Sequence, residues 1–279
     1  MKWNIVADSS CDLRSSDIAC SETGFFTVPF ILNIDGKDYV DTEDMDVPEM
    51  LAAMEYSETA SHSACPSPAT WADEFEKADN TIAITISSNL SGSYNSALAA
   101  RDIVLADHPE KKIHILDSKS TGPETALCIK KIAELIKSGH TLESIIETAQ
   151  KFLDDMHTAF ALCSFDNLVK NGRMSRFTGF VARKLGMWGI GIASEEGTIV
   201  IKGKSRGPQK ALAFIIEDMV ERGFSGGIAA ISHCQNSEMA KRLKNAIIDR
   251  WNEAKVTILE TRGLDSYYAE RGGLIITFG

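Results

Sequence analysis

Residues 86–97 read ISSNLSGSYNSA, with Ser88, Ser91 and Ser93 crowded around Gly92. They follow the apolar run TIAITI (81–86) and precede a helical pattern. Three chemistries are open to such a stretch. A helix N-terminus offers unpaired N–H groups and partial positive charge, Gly92 allows close approach to the backbone, and the hydroxyls donate, so Ser91, Gly92 and Ser93 could cradle an anion. One serine could simply cap the helix, which is worth ~1 kcal/mol. Ser91 could instead be the nucleophile of a hydrolase or another small-molecule enzyme. The local string L-S-G-S-Y lacks the G-x-S-x-G elbow, and no histidine stands at a recognisable spacing to serve as base. No Gly-Lys-Ser/Thr follows, which removes a P-loop.

Other polar loops end apolar runs in the same way. DSS follows WNIVA, and DSKST follows KKIHIL, placing Asp8 and Asp117 at two further strand ends. Those carboxylates could bind a metal, act as acid and base, or hold loop N–H groups. The loop SHSACPSP adds Ser63 and Ser67. In an open parallel sheet, ligands bind beyond the carboxyl ends of the strands, so these loops make one polar rim. His233 ends the run GGIAAISHC beside Cys234, without obvious partners for a metal. NGRMSR (171–176) is a turn carrying Arg173 and Arg176, with Lys170, Arg183 and Lys184 near it. That basic cluster could meet an anionic ligand, a membrane surface or an acidic partner. Met174, Phe177, Phe180, Met187 and Trp188 interleave with it; they could line an apolar tunnel, and their spacing favours core packing.

The elements that must position these loops follow from periodicity. WNIVA, FFTVPFIL (25–32), TIAITI and KKIHIL (111–116) read as strands, and Asp35-Gly36 marks a hairpin turn into KDYV. Helices are predicted over 47–56, from Pro68, from about 91, over 122–138 and over the stretch beginning at Thr141. The β-loop-α rhythm implies parallel strands with crossovers. After residue 156, strands follow one another with fewer helices, which implies a mixed sheet. The expected architecture is two α/β domains. Residues 1–155 form a three-layer parallel-sheet domain that carries the hydroxyl-rich loops, and 156–279 form a two-layer mixed-sheet domain.

The totals limit the partners. The 279 residues carry a net charge of −10, which argues against nonspecific nucleic-acid binding. Six scattered cysteines without a C-x-x-C pair read as buried free thiols. The N-terminal MKWNIVADSS is too short in apolar length for a signal peptide, and no run reaches the ~20 apolar residues of a membrane span. A cytoplasmic, reduced protein is expected.

Taken in order, IVADSSCDL, VPFILNIDGKDYVD, SACPSP, ISSNLSGSYNSA, ILDSKS, NGRMSR and the strand before GPQKAL resemble the DegV family of bacterial fatty-acid-binding proteins. The resemblance spans nearly the whole chain. It implies a long-chain fatty acid buried in a two-domain α/β protein, with no cofactor, no metal and no catalysis by the chain itself. Its carboxylate would be held by hydroxyls at positions matching Ser63 and Ser91, with Gly92 and Ser93 beside them. In some members a separate kinase subunit phosphorylates the presented acid, and Arg173 would lie near ligand or partner. The family's Gly-Thr-His-Thr-Gly-Pro-Gly loop is here Asp265–Arg271, which puts Tyr267 at the place of the histidine. Trp188-Gly189 replaces the usual Lys-Pro, and a bulkier wall could shorten the tunnel.

Overall fold

A computed structural model describes residues 2–18, 23–57, 59–174 and 186–279. Its first sheet is built from β1 (Trp3–Asp8), β2 (Thr23–Val28), β6 (Asn80–Thr85) and β7 (Lys112–Asp117), all parallel, in the order β2-β1-β6-β7. β1 and β6 are buried along nearly their whole length, as continuous apolar strands in a doubly covered sheet must be. Val6, Ala83 and Ile115 face α2 (Pro68–Phe75) and α3 (Ser93–Asp107). Ile5, Ala7, Ile82 and Ile84 face α4 (Pro123–Lys137) and α5 (Leu142–Asp154). Alternate residues thus serve opposite faces, and the sheet sits between two helical layers.

The expected single strand over 25–32 is two strands. Pro29 has no N–H to give a ladder, and the chain leaves the first sheet after Val28. It then enters a separate antiparallel sheet, β4-β3-β5, made of β3 (Ile31–Ile34), β4 (Lys37–Val40) and β5 (His62–Ala64). The predicted hairpin turn is present, with Asp35 at φ 51° and Gly36 at φ 80°. β5 lies inside the segment predicted as loop. Its pairing of Ser63 with Leu32 fixes where that hydroxyl sits.

The second large sheet has the order β10-β9-β8-β13-β11-β12. Its strands are β8 (His157–Leu162), β9 (Met187–Ala193), β10 (Ile199–Arg206), β11 (Ile228–His233), β12 (Lys255–Glu260) and β13 (Leu274–Phe278). Only β11 and β12 run parallel, so the sheet is mixed. α7 (Pro208–Glu221) and α8 (Ser237–Arg250) cover one face. On the other, Phe160, Leu162 and Ile275 pack with α1 (Val47–Tyr56), α6 (Asp166–Lys170) and α9 (Gly263–Ala269). No helix among the described residues is long and apolar enough to cross a membrane.

α9 replaces the loop expected around 265–271. Its start is gripped from far away in the chain: Gly263 N–H and Leu264 N–H donate to the two carboxylate oxygens of Asp41, each at 2.9 Å. A Cβ at position 263 would stand 2.7 Å from the Asp41 Cγ, so only glycine fits. Just before it, buried Arg262 donates to Leu13 O at 2.8 Å, Thr27 Oγ1 at 3.1 Å and Asp41 O at 2.7 Å. These bonds clamp the second sheet's last crossover onto the first.

Candidate functional site

The strand-end carboxylates are loop staples. One oxygen of Asp8 accepts from Ser10 N–H and Oγ–H; the other accepts from Ile86 N–H at 3.0 Å and from Ser93 Oγ–H at 2.7 Å. Asp8 is fully buried, and that burial raises its pKa against the lowering effect of the four donors. Asp117 accepts from Ser88 N–H, Ser88 Oγ–H and Lys119 N–H. With their lone pairs used this way, both do the loop-holding work that short polar side chains commonly do. His233 Nδ1 accepts from Asn236 N–H at 3.3 Å. Among the described residues no cluster of three or more His, Cys, Asp or Glu could hold a metal ion.

The serine stretch divides its labour. Gly92 occupies the N-cap position of α3, and a Cβ there would meet Cys65 Sγ at 3.4 Å. Cys65 is exposed, unlike the buried thiol expected. Ser93 is fully buried and spends its hydroxyl on Asp8. Ser91 Oγ accepts from Ser93 N–H at 3.2 Å; its own proton has no acceptor among the described residues. Ser91 is therefore the serine of the three that faces open space, in the wall of a cavity between the two large sheets.

That cavity has a greasy body. Phe30, Ile86, Leu90, Phe160, Leu162, Leu168, Ile199, Leu264 and Ile275 line it. Thr158, Phe160 and Leu162 alternate along β8, so its floor runs for about 13 Å at ~3.3 Å per residue. At the α6 end stand Ser63, Ser91, Tyr268 and Arg173. Ser63 Oγ and Tyr268 Oη share one hydrogen bond of 2.8 Å, which leaves one of the two protons free. Burial raises the Tyr268 phenol pKa, keeping it a donor. Arg173 anchors itself through Nε to Leu90 O at 3.1 Å and Nη1 to Asn171 O at 2.6 Å. Among the described residues its guanidinium has no acid partner and Nη2 has no acceptor. At the other end Ser120, Thr121, Thr158 and Asp265 bond inward. Ser120 Oγ donates to Thr158 Oγ1, Thr158 Oγ1 to Glu124 Oε2, and Thr121 Oγ1 to Asp265 Oδ1. Lys119, on the surface, is the other cation at the wall among the described residues. The neighbouring turn closes the cavity from the second sheet: Ser87 Oγ donates to Gly197 O at 2.7 Å and Asn89 Nδ2 to Glu196 O at 2.6 Å.

The tyrosine named from sequence is not the one in the wall. Tyr267 is fully buried, and its hydroxyl bonds Ser61 Oγ at 2.7 Å and accepts from Asn171 Nδ2 at 3.0 Å. Its neighbour Tyr268 lies edge-on to it, ring centres 4.9 Å apart, and takes the cavity side. Choosing between adjacent tyrosines requires the phase of α9, and seven residues leave too little periodicity to find it. Met174 and Trp188 are core residues. Arg176, Phe177, Phe180, Arg183 and Lys184 lie outside the described residues.

A half-open, largely apolar cavity between a parallel and a mixed sheet, with donors at one end that find no acceptor among the described residues, defines an α/β protein with a site for an apolar ligand. The chain belongs to the DegV family: the family model described as "Uncharacterised protein, DegV family" matches residues 2–274. A DegV domain-containing protein of Streptococcus pneumoniae is 37% identical over 278 residues, spanning 100% of this chain and 99% of that one. Among solved structures, the Streptococcus pneumoniae Fatty Acid Kinase (Fak) B3 protein loaded with linoleic acid superimposes with TM-score 0.96 at 37% identity, over 100% of this chain and 99% of that one. A DegV family protein from Eubacterium eligens loaded with heptadecanoic acid gives TM-score 0.93 at 33% identity, over 99% and 98%.

Proposed function

We propose that this chain binds a long-chain fatty acid, with the tail in the cavity and the carboxylate at Ser63, Ser91, Tyr268 and Arg173. The observation that carries this reading is the asymmetry of the wall: among the described residues, donors lacking acceptors gather at one end, and the hydroxyls of Ser120, Thr121 and Thr158 at the other end are already paired. A carboxylate supplies the missing acceptors. Gly92, at the cap of α3, adds the helix's partial positive charge beside Ser91. A ~16-carbon tail at ~0.8 kcal/mol per buried CH₂ supplies roughly 12 kcal/mol of gross transfer energy, and immobilising the ligand consumes much of it. Tail burial therefore sets affinity, and the hydroxyl cradle sets direction.

The role is carriage, not catalysis. Among the described residues Ser91 meets no imidazole, and its hydroxyl oxygen accepts from Ser93 N–H, which gives the hydrolase reading no support. The kinship to a protein named Fatty Acid Kinase B3 supports presentation of the acid to a separate kinase subunit, with Arg173 beside the exposed end. Native mass spectrometry of the purified protein should show a bound fatty acid; an empty mass that also refuses added linoleic acid overturns the reading. Loss of binding in Lys119→Ala with Arg173→Ala unchanged would place the carboxylate at the opposite end.

A further inference from the structure

Two buried carboxyl groups meet where the two sheets join, and the ligand cradle uses neither. Asp12 follows the 3-10 turn at the end of β1, and Asp265 belongs to α9. Asp12 Oδ1 accepts from Arg262 N–H and Asp265 Oδ1 from Thr121 Oγ1–H, both at 2.7 Å. The two Oδ2 atoms converge on Gly122: a Cβ there would stand 2.5 Å from Asp265 Oδ2 and 3.0 Å from Asp12 Oδ2. No donor from another residue bonds either Oδ2, although the Ser232 hydroxyl at the end of β11 faces Asp12. The two buried carboxyls thus face each other across Gly122, each with one oxygen that accepts from no donor among the described residues. Ionised carboxylates only accept, so a bond between these two oxygens needs a proton on one of the pair.

α9 supplies Leu264, Asp265, Tyr268 and Ala269 to the cavity wall. We propose that Asp12 and Asp265 are positioning residues that hold α9 against the cavity through one shared proton, so that retention of the bound acid depends on that proton. This rests on the fatty-acid reading above. With the proton in place, the pair is an O–H···O⁻ bond joining the two sheets' elements. Without it, two negative charges face each other in a buried site, and the wall segment carrying Tyr268 is pushed outward.

The surrounding charges leave the proton necessary. Arg262 faces the pair from the β12–α9 joint and already serves Asp41 from the end of β4. Cys11 faces Asp12 from the turn after β1, with Asp8 beside that thiol, and Cys234 faces Asp12 from just past the end of β11. One guanidinium thus stands against Asp12, Asp41 and Asp265. Burial is the largest cause raising both carboxyls of the pair, Asp12 to about 7 and Asp265 well above its ordinary value. An acid with a raised pKa in the closed form holds its proton more tightly there than in water, so the closed form weakens as pH rises through that range.

The test measures dissociation of linoleic acid from the full chain at about pH 6 and about pH 9, where one unit of differential pKa corresponds to about tenfold in rate. The unsubstituted protein should release it at least about tenfold faster at the higher pH. Asp12→Asn, whose amide donates permanently to Asp265, should change less than about twofold, and Asp265→Asn should behave alike. Hydrogen exchange of the α9 amides in the ligand-free protein, corrected for intrinsic rates and referenced to α8, should show the same pattern. Equal release at both pH values, or both variants following the unsubstituted response, overturns the latch. If linoleic acid binds at neither pH, the fatty-acid reading falls, and α9 exchange decides the latch by itself.

Discussion

At the residue scale, each hydroxyl of the cradle differs in what it still has to give. Ser91→Ala and Tyr268→Phe each remove a donor aimed at an anionic head, worth about 1.5–3 kcal/mol for a bond to a charged group. Each should weaken linoleic acid by roughly 10–100-fold while leaving the methyl ester little changed; equal loss for acid and ester in a calorimetric titration contradicts the cradle. Ser93→Ala should act differently, lowering stability by about 1–3 kcal/mol because Asp8 loses a buried donor. Glu124 offers a pH signature. Its carboxyl is buried beneath Thr158 and Thr277, and burial raises its pKa to about 7. The folded protein therefore holds that proton more tightly than the unfolded chain. Stability should fall by up to roughly 3 kcal/mol as pH rises from about 4.5 through about 7. Glu124→Gln should flatten that part of the thermal-melting profile, and an unchanged slope refutes the assignment. That Ser63 and Ser91 come to the cavity wall was legible in the sequence because both stand in short, composition-marked stretches, although Ser63 lies in the strand β5 and not in a loop. Tyr268, Leu264 and Asp265 were not legible, because one short helix hides which side of it faces inward.

At the element scale, the parallel strands and their crossover helices followed from apolar runs and cap residues. Thr141 caps α5 and Ser67 caps α2 through their side chains. Pro29 was the misread signal: within an apolar run it looked tolerable, yet it ends one sheet and starts another. β5 and α9 left no pattern because each is defined by a distant partner, β5 by Leu32 and α9 by Asp41. The β9–β10 turn gives a prediction of its own. Gly197 has φ 77°, and a Cβ there would stand 2.7 Å from Lys119 O. Gly197→Ala should cost about 2 kcal/mol or more from left-handed strain plus displacement of the first-sheet loop. Its melting temperature should drop with or without ligand; a melt matching the unsubstituted protein would show that the turn adapts freely.

At the scale of the whole molecule, we propose that the chain divides into units 1–155 and 156–279, joined less by the peptide than by Arg262. Removing one partner of a buried ion pair costs about 3–5 kcal/mol; Arg262 Nε stands 3.8 Å from Asp41 Oδ1, and the guanidinium also satisfies two backbone carbonyls and Thr27. Separately expressed pieces should associate when mixed, and Arg262→Met in the second piece should abolish that association in size-exclusion chromatography. A first piece that shows no cooperative thermal transition would sink the division.

The grip of Asp41 on Gly263 and Leu264 spans more than two hundred residues, and this imposes an order on synthesis. The anchor leaves the ribosome early, and the helix it starts leaves late. A nascent chain can complete its first sheet and display Ser63 and Ser91 long before the segment bearing Tyr268 exists. Until then the vessel has a rim but no roof, and a greasy guest has nowhere to stay.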